Sequence, residues 1–244
     1  MVFLDYQIIC DILVSAMTRA DLKAGRAVKG WSQTRAAARL GVSQPYLAML
    51  ENGSRRVTRD LVARAMSAYG LPPTVLPAED PRQDVDAGSL AGDLAALGYP
   101  GFAHLRPRRW RAKNPGQVLL SALAQDELEA RLVEALPWLL LRYGNVEHEW
   151  LVREAKLRDL QNRLGFVVSL ARRAAARGRD ERMVEKLAGL EAALDRSRLA
   201  REETLCKASL SEPERRWLEA NRPDEARHWN LLTDWTPDHL RHVA

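Results

Sequence analysis

The side chains of this 244-residue chain best suited to specific chemistry are amides and cations gathered between residues 31 and 56. Gln44 stands at the start of a short helical pattern, where an amide can reach a base edge and pair with adenine through two hydrogen bonds. Tyr46 and Met49 are read as sharing its side of that helix, and the three are the candidate base readers. Pro45 and Met49 cannot donate a hydrogen bond, so they read only a thymine methyl or groove shape. Asn52, Ser54, Arg55 and Arg56 follow the helix and suit contacts to phosphate. Patterns for catalysis do not accompany them: there is no Gly-rich phosphate loop, no HExxH and no nucleophile elbow. His148, between two glutamates, and His239 with His242 lack metal-ligand spacing and read as surface histidines. The expectation is therefore no enzyme, no catalytic residue, no metal and no cofactor.

Two helices around a glycine must position these groups. Ser32 can cap a helix over Gln33 to Leu40, with Ala36, Ala37 and Leu40 spaced to pack inward. Gly41 permits the left-handed turn that follows. Val42 fills the angle, Ser43 caps a second helix from Gln44 to about Asn52, and Gly53 stops it. Pro45 is tolerated in the first turn, where its missing N–H has no intrahelical partner. Upstream, Thr18 and Asp21 form a capping box for a helix through Lys29; downstream, Thr58 can cap a helix over Arg59 to Tyr69 that Gly70 closes. A short fifth helix falls around Thr74 to Leu76.

The stretch SQTRAAARLGVSQPYLAMLENG, with these flanks, resembles the helix-turn-helix of the Cro/C1-type (XRE-like) family over residues 17 to 76. The resemblance implies a five-helix domain that binds double-stranded DNA, with the helix at Gln44 as its recognition helix. It also implies that Gln33 contacts phosphate and braces that helix, and that Arg26 and Glu51 form a structural ion pair joining the first and third helices. Charge distribution agrees. Residues 17 to 70 hold ten Lys or Arg against three Asp or Glu, whereas the whole chain is only +5. Such a basic unit can displace counterions from phosphates.

The remainder divides into an N-terminal extension (1–16), a linker (77–93) rich in proline, glycine and acids, and a C-terminal helical domain (94–244). The extension is apolar but too short to span a bilayer, and Met1 and Met17 are equal candidates for the start. Cys10 and Cys206 are far apart and form no CxxC, which fits a reduced cytoplasmic setting without a membrane partner. The basic loop 104–116 has two readings, a second DNA contact through Arg108, Arg109, Arg111 and Lys113, or a loop docked on acidic helices of its own domain. Beyond it, Asn114 starts one helix, Asp126 with Glu129 caps another, and Pro137 breaks or kinks the latter. Asn145 caps a long helix to Arg177, which pairs antiparallel around Gly178 with a second from Asp180. Ser211 and Glu214 open a short tail helix, and Trp217, Trp229 and Trp235 anchor onto the bundle or a partner. The fold class is thus all-α.

Function on this reading is transcriptional repression by a homodimer on a palindromic operator. QNRLGFVVSLAR and EARHWNLL resemble regulators of nucleotidyltransferase-type toxin operons, which implies an autoregulating antitoxin with a toxin protein as partner. Two alternatives stay open: a ligand-sensing regulator with an effector site in the helical domain, and a protein-interaction adaptor.

Overall fold

The computed structural model describes residues 17–81, 85–107 and 112–242. The extension 1–16 with Cys10 lies outside them, as do Arg108, Arg109, Trp110 and Arg111 of the basic loop. The chain forms two units that divide in sequence between Glu79 and Asp80.

The N-terminal unit comprises α1 (Arg19–Val28), α2 (Gln33–Leu40), α3 (Gln44–Asn52), α4 (Arg59–Tyr69) and a 3-10 turn at Pro73–Val75. Local chemistry sets its boundaries. Thr18 and Asp21 cap reciprocally, and the Ser32 and Ser43 hydroxyls accept from Arg35 N and Tyr46 N. Gly41 ends α2 at φ 64°, Gly53 ends α3 at φ 80° and Gly70 ends α4 at φ 72°, a region that disfavours any residue with a Cβ. Thr58 is the N-cap of α4 but makes no side-chain capping bond. Leu22, Ala36, Leu40, Leu47, Leu50, Leu61, Val62 and Ala65 are all at most 1% exposed and form the core. Gly25 lets α1 approach α4, since a Cβ there would stand 2.7 Å from the Tyr69 ring.

The C-terminal unit begins inside the expected linker. Asp86 accepts from Ser89 N and caps α5 (Ala87–Leu97), whose Leu90, Ala91, Leu94 and Ala95 are buried; apolar burial overrides the glycine content that suggested a linker there. After a 3-10 segment at Pro100–Leu105 come α6 (Pro115–Leu123), α7 (Ala130–Arg142), α8 (His148–Leu157), α9 (Gln161–Arg177) and α10 (Glu181–Asp195). Helices α9 and α10 form the antiparallel hairpin, turning at residues 178–180, with Asp180 capping Met183 N. The turn's left-handed residue is Arg179, at φ 57°, and not Gly178. The tail adds β1 (Glu203–Thr204), α11 (Glu212–Asn221), α12 (Asp224–His228), β2 (Leu231–Leu232) and a 3-10 turn at Pro237–His239. The two strands pair in parallel, Glu203 with Leu231 and Thr204 with Leu232, within a mostly helical fold.

Several expectations for this unit are corrected. The Asp126–Glu129 capping box does not form; Leu128 N instead donates to Cys206 O and Ala208 N to Asp126 O, so tail pairing captures the backbone before α7. Pro137 does not break α7. The helix continues through it with Leu136, Pro137 and Trp138 buried, and burial outweighs the lost N–H bond. The single helix from Asn145 to Arg177 is two helices, divided where Asp159 takes φ 55°. The Asn145 side chain accepts from Lys186 Nζ, and Glu147 is the N-cap. Leu157, the last residue of α8, is 71% exposed.

Buried polar groups stitch the tail to the hairpin. Asn162 donates to Leu199 O and accepts from Leu199 N. The Arg163 guanidinium donates to Leu123 O and Gln125 O and lies 3.2 Å from a Glu203 carboxylate oxygen. Burial pushes the adjacent Cys206 thiol up to about 12, so it stays protonated and unreactive. The three tryptophans have different fates: Trp229 is wholly buried, Trp235 is half-buried with its ring tilted against that of His239, and Trp217 is 54% exposed. His148 is half-buried rather than a surface residue, and burial holds its pKa below the ordinary value.

Candidate nucleic-acid interface

Helix α3 presents an exposed arc made of Gln44, Pro45, Met49 and Asn52, while Leu47, Leu50 and Glu51 face inward. At 100° per residue, Tyr46 lies roughly 200° around the helix from Gln44. It is half-buried against the core, so the expectation that Tyr46 shares Gln44's side is corrected. Ala48, one turn from Gln44, takes that place. Met49 is 38% exposed and forms the edge of the arc beyond Pro45, but at roughly 140° around the helix from Gln44 it does not share Gln44's side either. Ser54, Arg55 and Arg56 follow in an exposed bend.

Behind the arc runs a chain of charged and polar groups. Arg26 grips Glu51 with two bonds, Nε to Oε1 at 2.6 Å and Nη2 to Oε2 at 3.0 Å. A third Arg26 bond reaches Trp31 O and ties down the segment between α1 and α2. Glu51 Oε2 also accepts from Gln33 Nε2 at 2.9 Å, and Gln33 Oε1 accepts from Gln44 Nε2 at 2.9 Å. The group at the start of α3 is therefore tethered to a pair whose carboxylate side chain is 2% exposed. Burial pushes the Glu51 carboxyl up, but the bonds from Arg26 and Gln33 outweigh it and hold the group below the ordinary carboxylate value. The Gln33 NH2 carries a second N–H beside the one given to Glu51.

Other cations, absent from the sequence reading, secure the same frame. Arg64 of α4 donates from Nη1 to Leu40 O at 2.6 Å and to Gly41 O at 3.4 Å, holding the turn between α2 and α3. Arg19 reaches Asn52 O at 3.5 Å, at the carbonyl end of α3 where a cation is favoured. Arg35 and Arg39, one turn apart on α2, lie 5.7 and 5.8 Å from the centre of the Trp31 ring, which in turn packs on Tyr69. Their i,i+4 spacing was visible in the sequence, but Trp31 as their common platform was not. In the basic loop of the other unit, Lys113 pairs with Asp93 of α5 at 2.6 Å, as in the reading that docks the loop on its own domain.

The capped helix pair, the left-handed glycine between them and the exposed start of α3 decide the family of this segment. Residues 19–78 match the helix-turn-helix domain family. The helix-turn-helix domain occupies about a quarter of the chain, and it is the part with which DNA-binding regulators contact their duplex. No curated protein and no solved structure matches the chain. Among the described residues no helix is long and apolar enough to cross a membrane, and no cluster of three or more potential metal ligands occurs.

Proposed function

We propose that the chain is a sequence-specific transcriptional repressor that binds a palindromic operator as a homodimer. The observation that carries this reading is the Gln44 amide, exposed at the start of α3 and anchored through Gln33 to the buried Arg26–Glu51 pair. A side chain held in place before binding loses less entropy on meeting a base. Residues 80–244 supply the dimer seam and hold a protein partner, as in an autoregulating antitoxin. Trp217 and Leu157, large apolar side chains at 54% and 71% exposure, favour a protein partner over a small-molecule effector for this unit.

Binding-site selection from a randomised duplex library with the full chain tests the reading, and a selected palindrome is the expected product. On that site Gln44→Ala costs about 1–3 kcal/mol and far less on random duplex. Arg55→Ala or Arg56→Ala weakens binding to all sequences alike and flattens the slope of log affinity against log salt by about one. Equal losses for Gln44→Ala on both duplexes, or altered base preference with an unchanged salt slope for the arginine variants, would reverse these assignments.

Assembly is tested by light scattering, in which the full chain is expected as a dimer and residues 17–79 as a monomer. A full chain that stays monomeric both free and on DNA rules out the dimer. Co-purification of the chain with the product of an adjacent gene, and a change in operator affinity when that product is added, is the expected mark of the antitoxin arrangement.

A further inference from the structure

We propose that Glu51 acts as a remote specificity determinant, because its ionised carboxylate sets which way round the Gln44 amide faces the DNA. The inference rests on Gln44 being a base reader and goes beyond it. A carboxylate held below its ordinary pKa is an acceptor only. Gln33 must therefore turn its NH2 toward Glu51 Oε2, which leaves its carbonyl Oε1 directed at Gln44. Gln44 must answer with its own NH2, and its carbonyl oxygen is left for the groove with one N–H beside it. Each amide in the relay has a donor end and an acceptor end, so fixing the polarity at Glu51 fixes it at both.

The polarity selects a base. An outward carbonyl oxygen with a neighbouring N–H matches the N6 donor and N7 acceptor of adenine. Reversed, the amide would present NH2 where adenine also presents a donor, and would suit the O6 of guanine or the O4 of thymine instead. Arg26 supports the lock without setting it, since its two bonds to Glu51 keep the carboxylate ionised and in place. Glu51 is thus a positioning residue. In Glu51→Gln the acceptor-only end becomes an amide with both a donor and an acceptor, and neither orientation of Gln33 is enforced.

The test uses the full chain and the duplex selected above, with each of the four base pairs in turn at every position of the half-site. The wild type is expected to prefer adenine over guanine at one Gln44-dependent position, by roughly 5- to 150-fold. Glu51→Gln should reduce that ratio to within about threefold while leaving preferences at other positions in place. Gln33→Ala, which severs the relay but leaves the Arg26–Glu51 pair intact, should reduce it likewise and decides the matter if Glu51→Gln does not fold. A loss of stability alone lowers affinity for all four duplexes equally and leaves the ratio unmoved. Glu51→Gln and Gln33→Ala proteins that keep the wild-type ratio, or a wild type that favours guanine or thymine at the Gln44-dependent position, would overturn the proposal. Should Gln44→Ala keep every preference of the wild type, it is the base-reading assignment underneath that fails.

Discussion

Replacing Arg26 with alanine is expected to destabilise the helix-turn-helix domain by about 3–5 kcal/mol, the cost of leaving a buried carboxylate without its cation. The Glu51 side chain is 2% exposed, and besides Arg26 only the Gln33 amide donates a hydrogen bond to it among the described residues. Truncation of Arg26 also releases its hold on Trp31 O, and hence the entry into α2. Hydrogen exchange of the full chain reads the effect locally, as a loss of protection across α1 to α3. Protection within 1 kcal/mol of wild type would mean that the pair contributes little. The pH dependence has a definite sign. Because Glu51 titrates lower in the folded domain than in the unfolded chain, its stabilising contribution is complete above the unfolded carboxylate value. It is lost as pH falls through the lowered folded value, and Glu51→Gln removes this part of the acid sensitivity.

Trp229→Ala is expected to cost the C-terminal unit about 3–5 kcal/mol, as for other large aromatic side chains removed from a filled core. The indole is wholly buried, lies against Gly165 of α9, and donates from Nε1 to Ser169 Oγ at 2.8 Å. The same hydroxyl stands 2.6 Å from a Glu191 oxygen of α10 and 3.0 Å from Gly165 O, so loss of the indole loosens the hairpin as well as the tail. Gly165→Ala attacks the contact from the other side. Its Cβ would stand 2.4 Å from two ring atoms, which predicts an overpacking cost of about 1–3 kcal/mol. Urea denaturation of the full chain, followed by near-ultraviolet circular dichroism, measures both. A cost below 1 kcal/mol for Trp229→Ala would show that the tail contributes little to this unit.

The sequence by itself determined the parts of the protein whose causes are local. Caps act across three residues and glycine turns within one, so Thr18 with Asp21, Ser32, Ser43, Gly41 and Gly53 mark the helices of the DNA-binding unit without knowledge of the rest. The same holds for Asp180 and for the Ser211–Glu214 box in the other unit. Tertiary structure decided what depends on residues far apart in the chain. The continuity of α7 through Pro137 and the helix inside the expected linker follow from burial, which local propensity does not encode. The capture of residues 126–128 by the tail, and the docking of Trp229 on Gly165, need partners some 60 to 80 positions away. At the candidate interface, the place of Gln44 at a helix start and the family resemblance at Gln33 pointed to both as hydrogen-bonding groups, but the direction in which their amides point was set only when folding brought Glu51, eighteen residues beyond Gln33, to the end of the relay. A helical period describes one face of one helix; the polarity of a hydrogen-bond chain belongs to the contacts between helices.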